Sequence, residues 1–301
     1  MKLVVRQSKK QRGFTIVELL TVMSIIVILI GLLVPALNQV KRYAWKVKQK
    51  TQLHSISAAI EMFNSEFDGY PDSGEKGPDG GFYCGAMKLC EAVMGQDLLG
   101  FHPDSTFRSD GTAYDPVTGA AKDLYPDANT VSASIYRDNL STRKGPYLPL
   151  ESANAYALGD LHRNTGPFDA GQFVLCDEYR RVQHIRTGKK VGMPVLYYKA
   201  NTARSRHNAG NPDDPENIYN YRDNHSLVML GMPWDPPSAG GQPHRLFENN
   251  GQRFYMNTKN EMVTTASRPY KADTFILISA GFDGEYGTPD DICNFDWKYR
   301  E

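Results

Sequence analysis

The feature that most limits what this chain can become lies near its N-terminus. A short basic leader (Lys2, Arg6, Lys9, Lys10, Arg12) is followed at once by residues 14–37, apolar apart from Thr15, Glu18, Thr21, Ser24 and small residues. At 1.5 Å per residue, about 20 helical residues span the ~30 Å hydrocarbon core of a bilayer. The segment is therefore long enough to cross a membrane. Glu18 is out of place in it. An ionised carboxylate costs on the order of 3 kcal/mol near the bilayer centre and less toward the interface. A charge kept there at that cost points to a specific partner. Pro35, near the far end, removes one helical hydrogen bond and is expected to kink or loosen the helix locally.

The residues from Gly13 to Leu20 read Gly-Phe-Thr-Ile-Val-Glu-Leu-Leu. This stretch resembles the N-terminal processing signal of type IV pilins and of type II secretion pseudopilins. The resemblance implies a leader, residues 1–13, removed by a prepilin peptidase that cuts between Gly13 and Phe14. It implies N-methylation of the new terminal Phe14. It also implies that Glu18 neutralises the terminal amine of a neighbouring subunit and so sets filament register. Unlike an ordinary secretory signal, the cut precedes the apolar run, which therefore stays on the mature protein.

Cations follow the run as well as precede it (Lys41, Arg42, Lys46, Lys48, Lys50), so the positive-inside rule does not orient the span. The resemblance orients it, with the leader in the cytoplasm and residues 38–301 in the periplasm, held at the inner membrane before assembly. The basic run itself admits two readings: a solvated helix face, or a surface for anionic head groups or acidic filament neighbours.

Beyond the span the pattern stays helical. Leu53, Ile56, Ile60, Phe63 and Phe67 recur at spacings of three and four, one apolar face of an amphipathic helix. Gly69 is the expected C-cap and Tyr70-Pro71 the stop. A second helix is expected over Ala86–Leu99. Residues 102–146 show no sustained period and read as loop with short strands. Strands are expected at Gln172–Cys176, Pro194–Lys199 and Phe254–Met256, with Ser226–Met232 a strand or short helix. Asp273–Ala280 is the strongest strand and the expected centre of the sheet. The fold class is α+β: a long N-terminal helix on a small antiparallel sheet, with a loop-rich insertion at about 72–190.

After that strand, residues 281–294 hold Asp283, Glu285, Asp290 and Asp291 among three glycines. Carboxylates on a loop that can fold back on itself suit a hard cation such as Ca²⁺. The order is not that of an EF-hand, and the alternative reading is an acidic surface turn capped by its own Asp side chains. The loop resembles the C-terminal calcium loop of major pseudopilins. That resemblance implies Ser279, Asp283, Asp290 and Asp291 as ligands, with the Ile278 carbonyl as a further one, and leaves open how Asp290 and Asp291 divide the work.

The four cysteines form no C-x-x-C pair. Cys84 and Cys90 are near enough in sequence for a local disulfide, and free buried thiols fit as well. The chain carries no net charge, which gives no support for nucleic-acid binding. Its seven histidines show no metal-site spacing, and no nucleophile or phosphate-loop motif is present, so no enzymatic activity is expected.

The resemblance covers residues 1–71 and about 273–296 but not the stretch between. It implies a pseudopilin close to the major, G-like type, a structural subunit of the filament that moves folded cargo across the outer membrane. Implied partners are identical or homologous subunits, the peptidase, an inner-membrane assembly platform, membrane lipid and the secreted cargo. A type IV pilus subunit, or a binding or adhesion module on a pilin stalk, are the alternatives.

Overall fold

The computed structural model describes residues 13, 15–115, 117–234, 244–296 and 298–300. Helix α1 runs from Ile16 to Phe67 with Pro35 inside it. The chain divides into two compact units, 1–44 and Trp45–Glu301. In the first, every described residue is exposed. Apolar side chains of this kind left without protein neighbours are normal only where lipid or other subunits take the place of water.

The second unit is built around the sheet β7 (Leu196–Lys199), β8 (Phe275–Ser279) and β9 (Ile292–Cys293), antiparallel with β8 central. Leu196 lies opposite Ile278, Lys199 opposite Phe275, and Ser279 opposite Ile292. All five residues of β8 are buried, because both faces of the sheet are covered. Alternation along a strand sends side chains to opposite faces. Phe275 and Leu277 accordingly join Tyr197, Ile292 and the α1 residues Leu53, Ile56 and Ile60. Ile276 and Ile278 join Leu196, Tyr198, Phe254 and Tyr286 on the other side. Two-sided burial is why this strand reads as an unbroken apolar run. Each such side chain contributes roughly 1.5–3 kcal/mol on leaving water.

The apolar stripe of α1 lies where its spacing places it: Leu53, Ile56, Ile60 and Phe63 are buried against the body. The residue that closes the helix is Asp68, left-handed at φ 57°, one position before the expected Gly69.

Helix α2 (Gly85–Met94) is shorter than expected. It stops at Gly95, whose φ of 87° and close approach to the Gly100 carbonyl admit no side chain. It is buried all round, including Lys88 and Glu91. Lys88 pairs with Asp72 and donates to the Lys76 carbonyl at 2.9 Å. Glu91 accepts from Tyr125 at 2.9 Å and Gln96 at 3.1 Å, and Ser105 also donates to it. Paired in this way, charged residues can line a helix with no solvent face.

The stretch 102–146 holds the hairpin β1 (Thr112–Tyr114) and β2 (Ala121–Asp123) and also a helix, α3 (Ala133–Thr142), that was not expected. None of its residues is buried, so it carries no apolar period to read; Ser132 caps it, accepting from the Ile135 N–H. The short α4 (Leu150–Ala153) and α5 (Leu158–Leu161) flank β3 (Ala155–Ala157), which pairs with β4 (Phe173–Leu175). Strand β5 (Val182–Gln183) pairs with β6 (Lys190–Val191). Ser226–Met232 resolves in favour of a helix, α6 (His225–Val228). The strand expected at Phe254–Met256 is instead helix α7 (Gln252–Thr258). Phe254, Tyr255 and Thr258 are buried at helical spacing there, behind a left-handed Gly251.

Candidate functional site

At the N-terminal end Gly13 is exposed, while Phe14 lies outside the described residues. Thr15 and Glu18 bond each other reciprocally. Glu18 Oε2 accepts from the Thr15 N–H and from Thr15 Oγ1, both at 2.8 Å, and Thr15 Oγ1 accepts from the Glu18 N–H at 3.2 Å. This is a capping box, in which a Thr and a Glu three residues on satisfy each other's orphan amide donors at a helix start. Glu18 thus has a local task in the single chain beside any task between chains.

The acidic loop follows β8 directly. Gly281 turns the chain back at φ 67°, with its Cα so close to the Asp290 carbonyl that a Cβ would meet it at 2.3 Å. The turn brings Asp283 and Asp290 together. Asp290 Oδ2 accepts from the amides of Phe282 (2.6 Å) and Asp283 (3.0 Å), and its Oδ1 accepts from Thr288 Oγ1 at 2.7 Å. Burial, with the neighbouring Asp290 carboxyl, pushes Asp283 up to about 6. Burial works against Asp290 as well, but the bonds from Thr288 and the Asp283 side chain hold it below the ordinary range. The two carboxyls are thus pushed apart, Asp290 the more acidic of the pair.

Of the other expected ligands, Asp291 stands beside Asp290, both accepting from Thr288 Oγ1, at 3.3 Å and 2.7 Å. Asp291 is buried and also accepts from the amides of Gly287 at 2.7 Å and Thr288 at 3.4 Å; burial, with the neighbouring Asp283 and Asp290, pushes it well above the usual carboxylate range. Ser279 is fully buried and donates to Asp177 Oδ2 at 2.9 Å. Among the described residues, no three His, Cys, Asp or Glu side chains close on a common point that could hold a metal.

Asp177 was not singled out from sequence, where it is one Asp among many. In the fold it anchors a clasp. Its Oδ1 accepts from the amides of Tyr179 (3.1 Å) and Met193 (3.2 Å), and burial pushes it up to about 7. Gly192 allows the approach, since a Cβ there would lie 1.9 Å from the Asp177 carbonyl oxygen. The residues on either side of Asp177 grip α1. Gln52 Nε2 donates to the Cys176 carbonyl at 2.8 Å, and the Glu178 N–H donates to Gln49 Oε1 at 2.8 Å. The clasp thus touches α1 on one side and the start of the acidic loop on the other.

The disulfide considered for Cys84 and Cys90 is not formed; all four cysteines are free and buried. Cys84 sits at the N-cap of α2 and Cys90 six residues on, which places them on different faces of the helix and about 9 Å apart along its axis. Their side chains enter different halves of the core.

Residues 8–34 match the model of the prokaryotic N-terminal methylation motif. No curated protein and no solved structure matches the chain. The motif and the long N-terminal apolar helix together fit a type IV pilin-like protein.

Proposed function

We propose that the chain is a pseudopilin, a non-catalytic subunit of a type II secretion filament that drives folded proteins across the outer membrane. The observation that carries the reading is the methylation motif running without a break into α1. That motif implies processing by a prepilin peptidase and assembly with pilin-like subunits. Subunits would wait in the inner membrane by the 14–37 segment, with the body in the periplasm. They would then pack helix to helix on an assembly platform, Glu18 facing the methylated amine of Phe14 in the next subunit. Secreted cargo would be moved by growth of the filament.

The acidic loop supports this form of the reading over a surface pilus. Its residues fit a calcium ion in part. The turn brings Asp283 and Asp290 together, and a divalent cation at that place would offset the burial and the like charge that raise Asp283. Asp291 caps the turn beside them, and Ser279 ties it to the clasp. Calcium would supply positive charge that favours the ionised form of both carboxylates.

Two measurements in the native host test the proposal. Intact mass and N-terminal sequencing of the membrane-extracted protein should give a chain that starts at Phe14 with one added methyl. A chain that keeps its leader, or is cut after the apolar run, would remove the pilin-like reading. Deleting the gene should stop the release of secreted proteins and leave surface fibres in place. Loss of the fibres with secretion intact would make it a pilus subunit.

A further inference from the structure

Trp45 opens the second compact unit, and cations from two distant stretches of sequence gather on its ring. Lys48 of α1 places its Nζ 5.7 Å from the ring centroid, and Arg180, after β4, places its Cζ 5.3 Å from it. Arg180 is exposed and has a left-handed backbone at φ 52°, a conformation a long side chain rarely adopts. Such strain persists only where the surroundings impose it. Here the clasp imposes it, because Glu178 is fixed to Gln49 and, through its carboxylate, to Lys48 at 2.7 Å. Arg181 is also exposed, its guanidinium 5.5 Å from the Trp234 ring centroid and 5.8 Å from that of Phe282. Lys46 and Lys50 are exposed on the same stretch of α1. Glu178, on Lys48, is the one acidic side chain that the structure pairs with these five cations among the described residues.

A row of lysines on a helix is ordinarily only a solvated face. Two things set this one apart. The body adds Arg180 to it, held in a strained backbone to do so. The cluster also begins just past the end of a membrane-length apolar run on the same helix. Trp with Lys and Arg beyond the end of a span is the composition of a head-group interface, and basic clusters there attract anionic lipid over about one Debye length.

We propose that Trp45, Lys46, Lys50 and Arg180 form a docking surface for anionic phospholipid head groups, with Arg180 the anchor contributed by the body. This needs only the membrane span, whichever filament the subunit joins.

The test uses the full chain reconstituted in two kinds of vesicle, pure phosphatidylcholine and phosphatidylcholine with about one third phosphatidylglycerol. Amide exchange is followed over 45–50 and 177–182. Exchange in both segments should be about tenfold slower in the anionic vesicles, and the difference should vanish in high salt. It should also vanish in Arg180→Gln combined with Lys46→Gln, while exchange over β8 stays slow and shows the variant folded. Equal exchange in the two vesicle types would overturn the proposal, as would a difference that survives the double variant. Protection that appears in both vesicle types only at high protein density would assign the surface to a second copy of the chain instead.

Discussion

Replacing Glu18 by Gln rather than by Ala separates two roles carried by one carboxylate. The first is the cap. Glu18 Oε2 takes two bonds from Thr15, and losing them to Ala should weaken the start of α1 by about 1 kcal/mol. Gln keeps an oxygen at that place and most of the cap. The second role is charge. Removing it favours insertion, by less than the roughly 3 kcal/mol a carboxylate costs near the bilayer centre. If the carboxylate faces the Phe14 amine of the next subunit in the filament core, losing it leaves an unpaired buried cation. That costs about 3–5 kcal/mol, or about a hundredfold or more in subunit association. Glu18→Gln should therefore insert at least as well as wild type, resist alkaline extraction equally, and fail to yield sedimentable filaments, as Glu18→Ala fails. Normal filaments from the Gln variant together with none from the Ala variant would refute the charge argument and leave the cap as the function of Glu18.

Asp283→Ala with Asp290→Ala should lower the melting temperature in calcium to the value found in chelator; an undiminished calcium response would remove the metal from that loop. Burial pushes His162 and His207 down to about 4 and His244 to about 3, so the unfolded chain takes up their protons first. Stability from these groups is complete above about pH 6.5 and is lost as pH falls toward 4, each costing about 1 kcal/mol near pH 5.5. Asp223, buried and pushed up to about 7, changes in the opposite direction. The clean readout is therefore the urea midpoint of His207→Gln relative to wild type, a gap that should narrow on acidification; a constant gap would count against a buried neutral His207. Ile60→Ala, at a fully buried position, should cost about 2–5 kcal/mol, while Ile26→Ala in the exposed span should leave the unfolding of the body unchanged. Burial also pushes the Cys84 thiol up to about 12, and all four thiols should resist alkylation until the protein unfolds; rapid labelling of the native protein would contradict their burial.

What could be read from the chain beforehand was whatever a single period encodes. The stripe Leu53–Phe63 repeats at helical spacing because one face meets the core. The apolar Phe275–Ser279 announces a central strand because both its faces do. The methylation motif is local by nature, its meaning carried by adjacent residues. Features that depend on pairing across the fold left no such mark. Helix α3 buries nothing and so shows no stripe, while α2 is buried all round and hides Lys88 and Glu91 among its apolar residues. Phe254–Met256 has the composition of a strand, but its neighbours within one helical turn decide otherwise. Asp177 acquires its importance only when Ser279, far along the chain, arrives beside it. The acidic loop was legible as a set of carboxylates. Which pair would face each other was settled by the turn at Gly281, and which would turn inward by the amides of Gly287 and Thr288.

The position of β8 in the chain has a consequence for biogenesis. The apolar face of α1 is among the first parts to leave the ribosome, yet the strand that covers it, residues 275–279, is among the last. At about 5–20 residues per second the interval is on the order of 10–40 s. Through that time Leu53, Ile56 and Ile60 of a membrane-anchored helix can meet α2 but lack Phe275 and Leu277, which complete their cover. A chain stopped short of Phe275 would leave that cover incomplete, so truncation near the C-terminus should turn an assembly subunit into a target for chaperones and proteases at the membrane surface.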